Sequence, residues 1–272
     1  QHNYRAWWNN PALPKFNTDN PGVRDYLFQV TRYWLEFGAD GWRLDVPEEI
    51  KDDSFWREFR TIVKGVNPQA YIVGEIWHEA RHWLQGDMFD AVMTYQITTP
   101  LLSFFGANNL NRSWEHVDVK LAPMAADGFV DKIQAMYALY DWEINYAQMN
   151  MLDSHDMPRA LWLLNHDKKA LKQTLLCLMA LPGAPCVYYG DEIGLAAGTD
   201  PHCREAFPWQ AERQWDHDLH GYYKAAIGLR KAYPALQTGS VEFVAHSGQA
   251  VVVRRKLADQ EILAAFNASR ES

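Results

Sequence analysis

The chain has 272 residues, enough to bury one large core, and a formal net charge of −8 with acids scattered rather than blocked, which excludes the basic stripe of a nucleic-acid-binding surface. No apolar stretch reaches transmembrane length, and three cysteines at unrelated spacings make neither a disulfide framework nor a zinc site. Cys177 and Cys186 sit in apolar runs and are expected as small core residues. The 14% aromatic content suits a core and equally a carbohydrate site, where flat rings stack on sugar faces.

Asn20-Pro21 is a helix start, an N-cap residue followed by Pro at the first helical position. Val23, Leu27, Val30, Trp34 and Phe37 recur at helical spacing, and Gly38 ends the helix. A strand over 41–46 follows. Asp53 or Ser54 then caps a helix through Phe55, Phe59, Ile62 and Val63, and a strand over 71–75 comes next. Helix-strand-helix-strand with short connectors is the alternation of a parallel α/β sheet. Further on, the pattern predicts a strand over 89–95 and helices over 101–105, 113–124 and 131–141. A strand over 148–153, an apolar helix over 167–181, a buried strand over 184–189 and a helix over 217–233 follow. Trp34, Trp56 and Trp114 are expected as core or helix-sheet contacts. Beyond residue 238 the pattern changes to three short strands, 241–244, 250–254 and 262–266, with no helices between them, as in an antiparallel β domain.

Three carboxylates each close an apolar run: Asp45 in Gly-Trp-Arg-Leu-Asp-Val, Glu75 in Tyr-Ile-Val-Gly-Glu-Ile-Trp and Asp156 in Met-Leu-Asp-Ser-His-Asp. Acids at the carboxyl ends of successive parallel strands share one face, which in a β/α barrel is the active-site face. A carboxylate beside apolar strands costs free energy unless something pairs with it, so three of them point to an enzyme. Two carboxylates about 5–5.5 Å apart can cleave a glycosidic bond, one as nucleophile and one as acid/base. Arg43, two residues before Asp45 on the same strand, keeps that aspartate ionised and favours it as nucleophile. Glu75 has no basic residue before it and is followed by Ile76-Trp77, an apolar setting that favours a protonated acid. His155-Asp156 suits holding sugar hydroxyls and stabilising positive charge at the anomeric carbon. Each motif taken singly also has a plainer reading: Arg-x-Asp as a structural ion pair, Asp191 and Glu192 as caps of a turn.

In this order the segments 41–46, 74–77, 154–156 and 183–194 resemble the α-amylase superfamily (glycoside hydrolase family 13), at its strand-four, strand-five, strand-seven and strand-eight motifs. Leu13-Pro14-Lys15-Phe16-Asn17 and the run from Asp200-Pro201-His202-Cys203-Arg204 to Phe207-Pro208-Trp209 are similar to the neopullulanase, cyclomaltodextrinase and maltogenic amylase subfamily. The resemblance implies an α/β fold: the C-terminal portion, strands 4–8, of a (β/α)8 TIM barrel, followed by the start of an antiparallel β domain. Residues 1–20 would end a domain B-like loop region, 21–237 form the barrel portion and 238–272 begin a C-terminal β-sandwich. Gln1 in place of Met, the loop-like aromatic opening and the count of five parallel strands lead us to expect a piece lacking the first barrel strands.

The resemblance further implies Asp45 as nucleophile, Glu75 as acid/base and Asp156 as transition-state stabiliser. Arg43 and His155 would support them, with Trp77, His78, Asp200 and Arg204 near bound glucose units. Pro47-Glu48-Glu49 and Met157-Pro158 depart from the family pattern beside substrate subsites. The expected function is a retaining hydrolase of α-glucosidic bonds in maltodextrins, cyclodextrins or pullulan. The alternatives are a transglycosylase or isomerase of the same superfamily, or a truncated non-catalytic member. No cofactor is required and no metal ligand set is expected, though calcium is bound by some relatives. The expected partner is an α-glucan oligosaccharide, with neither nucleic acid nor membrane, a homodimer in a full-length parent and a cytoplasmic location.

Overall fold

Helix α1 (Pro21–Phe37) begins at the Asn20-Pro21 signal. Asn20 Oδ1 accepts from the amides of Gly22 and Val23 at 2.9 and 3.3 Å, and Gly38, at φ 122°, ends the helix. The computed structural model describes residues 3–269, so the expectations that fall on Gln1, His2 and the last three residues lie outside it. The chain divides into two compact units between Val92 and Met93.

In the first unit, β1 (Gly41–Leu44) leads through a 3-10 turn, Pro47–Glu49, to α2 (Asp53–Val66), β2 (Tyr71–Gly74) and the start of β3 (Ala91–Thr94). β1 runs parallel to β2 with Gly41 opposite Tyr71 and Leu44 opposite Gly74, and Val73 and Gly74 register with Ala91 and Val92. Gly41 is obligatory: a Cβ there would lie 2.1 Å from the Tyr71 carbonyl oxygen. Asp52, rather than Asp53 or Ser54, caps α2, accepting from the Ser54 amide at 2.9 Å, and it also takes Arg24 Nη1 of α1 at 2.6 Å.

The buried stripe of α1 is Phe28, Thr31 and Leu35, not the one headed by Val23 and Leu27. Trp34 therefore stands 47% exposed, edge-on to Tyr33 and Phe37 at 5.3 and 5.7 Å, instead of in the core. Two apolar stripes coexist on this helix, and periodicity cannot rank them. Trp56 does enter the core, donating from Nε1 to the Ile50 carbonyl.

In the second unit the order is α3 (Tyr95–Phe105), α4 (Ala126–Tyr137), α5 (Trp142–Ala147), β4 (Met149–Met151), α6 (Ala160–Leu163), α7 (Lys168–Ala180) and β5 (Ala184–Cys186). The end of β3 pairs in parallel with β4, and β4 with β5, so the parallel strands follow one another in sequence order. Sequential order without a reversal is barrel connectivity and not that of a doubly wound sheet. No helix forms over 113–124, and α4 starts at Ala126, ahead of the expected 131. There Asn111 Oδ1 takes the Ser113 amide at 3.1 Å and His116 Nδ1 takes the Asp118 amide at 3.2 Å. Such local side-chain acceptors compete with a helical ladder, and Pro123 closes the segment. β5 is shorter than expected and sits last in the sheet order. Its Cys186 is exposed, while Cys177 of α7 is buried as expected. Trp114 is half-buried.

α8 (His217–Ala232) and α9 (Pro234–Thr238) lead into an antiparallel sheet of β6 (Ser240–Ser247), β7 (Ala250–Leu257) and β8 (Gln260–Asn267). Alternation turns Val251, Val253 and Arg255 of β7 inward, all buried. Phe243 and Phe266 meet Phe129 and Phe105 at 6.1 and 5.7 Å. Arg255 is fully buried and donates to the carbonyls of Ala180, Leu236, Gly239 and Ser240. Arg230 of α8 donates to those of Met179, Leu181, Gly183 and Leu236. Two guanidiniums thus meet the last two carbonyls of α7, Met179 and Ala180, which lack intrahelical partners, and tie them to the segments that follow α7 and α9. Burial pushes both down to about 10, so both stay charged at neutral pH. Arg255→Met removes the guanidinium donor of the Ala180 carbonyl and one donor each from those of Leu236, Gly239 and Ser240, and is expected to cost roughly 2–4 kcal/mol in denaturant unfolding. An unchanged midpoint would contradict this role.

Candidate active site

Arg43 of β1 spans two carboxylates. Its Nη1 meets Asp45 Oδ1 at 2.6 Å and its Nη2 meets Glu75 Oε1 at 2.9 Å. The two acids sit in opposite surroundings, with the Asp45 side chain 76% exposed and that of Glu75 3% exposed. Parallel register explains the meeting. Leu44 pairs with Gly74, so the residues that follow, Asp45 and Glu75, leave adjacent strands at the same level. The Glu75 amide extends the ladder by one bond to the Leu44 carbonyl at 2.9 Å.

The expected apolar setting of Glu75 is present, with Ile76 buried beside it, and a cation from outside its own sequence neighbourhood accompanies it. Arg43 reaches it across the ladder, a contact that inspection of the residues next to Glu75 cannot reveal. Val46 completes the group. This β-branched residue adopts the left-handed region, φ 35° and ψ 56°, and its amide donates to Glu75 Oε2 at 3.3 Å. Val is poorly suited to that region, and strain of this kind persists where the surroundings impose it.

On the loop after β2, Trp77 is half-buried and His78 is exposed. His78 Nε2 lies 2.8 Å from Glu48 Oε2, and Nδ1 lies 2.9 Å from the Glu79 carbonyl. Sequence reading marked Glu48 only as a departure from the family pattern, but it is the partner of a candidate binding residue. Lys15, in the segment similar to the subfamily's, pairs with Glu49 at 3.0 Å.

The second unit carries its own cluster beyond β4. Asp156 Oδ2 meets His155 Nε2 at 3.0 Å, and its Oδ1 accepts from Arg204 Nη2 at 2.9 Å. Arg204 Nε donates to the His155 carbonyl at 2.9 Å and lies 3.0 Å from Asp200 Oδ1. The Asp156 amide donates to Ser154 Oγ at 3.2 Å. Four of the candidates, His155, Asp156, Asp200 and Arg204, therefore form one ion-paired group. The Asp156 carboxylate is oriented from two sides, by His155 and Arg204, an arrangement fit to hold hydroxyls and to face a positive centre.

Asp191 and Glu192 are both expected to cap a turn. Glu192 does so, accepting from the Gly190 amide at 2.7 Å, whereas Asp191 turns inward and is 3% exposed. Among the described residues no group of three or more His, Cys, Asp or Glu side chains is placed to hold a metal ion.

Residues 2–239 match the α-amylase catalytic domain, and the chain belongs to that family. Its parallel strands and the antiparallel sheet after them correspond to the C-terminal part of the family's fold. The cyclomaltodextrinase of Geobacillus thermopakistaniensis is 40% identical over 273 residues, covering 99% of this chain and 44% of that protein. The native debranching enzyme of Nostoc punctiforme superposes with a TM-score of 0.93 at 42% identity, covering 98% of this chain and 55% of that one. The cyclic α-maltosyl-(1→6)-maltose hydrolase of Arthrobacter globiformis, in complex with that cyclic sugar, gives 0.88 at 35% identity, covering 97% and 56%. The chain spans less than half the length of the cyclomaltodextrinase it matches.

Val46→Gly trades left-handed strain of about 1–2 kcal/mol against the backbone entropy of glycine, about 0.5–1 kcal/mol. Unfolding free energy should therefore stay level or rise slightly. A loss above about 1 kcal/mol would contradict the strain.

Proposed function

We propose that the protein is a retaining glycoside hydrolase that cleaves α-glucosidic bonds of maltodextrins, cyclodextrins or pullulan through a covalent intermediate on Asp45. The observation that carries this reading is the single guanidinium of Arg43 joined to one exposed and one buried carboxylate at 2.6 and 2.9 Å. Two acids within reach of one guanidinium are compatible with the short separation of about 5–5.5 Å used by retaining enzymes. Asp45 is the acid that a sugar ring can reach, and Glu75 is the one whose desolvated setting suits proton transfer. The relatives named a cyclomaltodextrinase and a cyclic α-maltosyl-(1→6)-maltose hydrolase support the substrate class.

In this mechanism Asp45 Oδ attacks the anomeric carbon as its bond to the glycosidic oxygen breaks. Glu75 delivers a proton to that leaving oxygen. Water then adds at the anomeric carbon, releasing Asp45 and returning a proton to Glu75. Arg43 offsets the charge of Asp45 before the first step and that of Glu75 once Asp45 is esterified and Glu75 has given up its proton. Asp156, set by His155 and Arg204, binds hydroxyls of the attacked sugar and stabilises its developing positive charge. Trp77 offers a ring face to a neighbouring glucose, and His78 and Asp200 offer polar contacts. The carboxylates supply both nucleophile and proton, so the proposal asks for no cofactor. A cytoplasmic location, expected from the resemblance, belongs to the same proposal. Among the described residues no helix is long and apolar enough to cross a membrane.

Hydrolysis of β-cyclodextrin, pullulan and soluble starch by this chain tests the reading. Asp45→Asn and Glu75→Gln should each lower kcat by at least about a thousandfold, and Arg43→Met should lower it by roughly a hundredfold. A folded chain inert on all three glucans, or variants as active as the parent, would overturn the assignment.

A further inference from the structure

Two more carboxyl groups lie beyond β4 and β5, and no step of the proposed chemistry uses them. Asp153 is 2% and Asp191 3% exposed, and they hydrogen-bond to each other. Asp153 Oδ2 also accepts from the Ala160 amide at 2.6 Å, which closes the base of the loop 153–160. Asp191 Oδ1 lies 3.1 Å from Nη1 of Arg159, which also donates to the Tyr189 carbonyl at 2.7 Å. Arg159 is fully buried, its guanidinium over the rings of Tyr188 and Tyr189 at 4.6 and 5.0 Å. The Arg159 amide donates in turn to the Ala197 carbonyl at 3.0 Å. The loop so pinned at both ends is the one that bears His155 and Asp156.

Buried acids placed side by side are a poor means of gaining stability, because each raises the cost of ionising the other. Their retention beside a candidate catalytic loop calls for another reason. Resting on the α-glucan hydrolase reading above, we propose that Asp153, Asp191 and Arg159 are positioning residues, a buried clamp that ties the loop bearing Asp156 to the turn after β5 and so sets Asp156 against the substrate.

A hydrogen bond between two carboxyl groups needs a proton held between them, and one proton leaves one negative charge to balance Arg159. Burial, joined at Asp191 by the neighbouring Asp153, pushes both carboxyls up: Asp153 to about 6 and Asp191 well above its usual range. The other groups facing the pair are Cys186 of β5 and Tyr223 of α8, which Glu192 also faces, while Glu205 stands 3.9 Å from Arg159 Nε. A carboxyl raised in the folded state binds its proton more tightly there than in the unfolded chain. Its contribution to stability is complete below the unfolded value near 3.8 and is lost as pH rises through about 6 and beyond.

Asp191→Asn removes one acid of the pair and keeps a hydrogen-bonding side chain. The melting temperature of this variant should fall less between pH 5 and pH 8 than that of the parent, because one raised group is gone. Its kcat should fall by about tenfold or more, with KM changed less than about threefold, since the loss lies in alignment and not in binding.

Hydrogen exchange of the peptide spanning 153–160 reads the clamp without substrate. Exchange should rise about tenfold in Asp153→Ala, return toward the parent in Asp153→Asn, whose side-chain oxygen still accepts from Ala160, and stay unchanged in β6–β8. Parent-like exchange in Asp153→Ala, or an Asp191→Asn variant with parental kcat on a substrate the parent turns over, overturns the clamp. A parent inert on every α-glucan but with the predicted exchange pattern would overturn the hydrolase reading and leave the clamp supported.

Discussion

Charge in dry surroundings must be matched, and in this protein the matching group is repeatedly a guanidinium. Arg43 holds the carboxylates of Asp45 and Glu75, Arg159 meets Asp191, and Arg230 and Arg255 gather the carbonyls at the end of α7, in the turn after it and around the end of α9. The planar fork suits all three settings because its donors diverge in fixed directions and it stays charged when partly desolvated. An ammonium presents a compact charge and could not bridge two acids in the same way. Without the first of these guanidiniums, Glu75 would be a nearly buried carboxylate facing a second acid, a state that costs several kcal/mol.

The sites also divide strain from stability. Val46 sits in a backbone region that a β-branched residue avoids, yet the conformation aims its amide at Glu75. Asp153 and Asp191 face each other where a hydrophobic pair would be more stable. Val46 and Asp153 lie just beyond β1 and β4, beside candidate catalytic groups, while four helices of the frame begin on ordinary caps: Asn20, Asp52, Asp167 and Asp216 each accept amides at a helix start. Ordinary folding signals build the frame, and the departures from them fall at the acids.

Much of this was legible in the chain. The Asn20-Pro21 start and Gly38 stop of α1 are local chemistry, read from neighbours within a few residues. So are the apolar runs ending at Asp45 and Glu75, and the change of pattern after residue 238. Where local reading failed, two patterns competed or a partner lay far away. α1 has two apolar stripes, so Trp34 came out on the wrong side. The segment 113–124 was expected to be helical, but Asn111 just ahead of it and His116 within it take backbone amides for turns. Asp191 precedes a turn and looked like its cap, and only burial against Asp153 distinguishes it from Glu192.

The sequence by itself determined which acids stand at strand ends, the order of the strands, and the family to which the chain belongs, because those depend on residue type and spacing. Tertiary structure alone decided the partners: that Arg43 serves Glu75 as well as Asp45, that Glu48 meets His78, that Arg204 orients Asp156, and that Asp153 and Asp191 are buried together. An ion pair or hydrogen bond depends on distances of about 3 Å between atoms that lie tens of residues apart in the chain. Only parallel register and the closing of loops bring such atoms together.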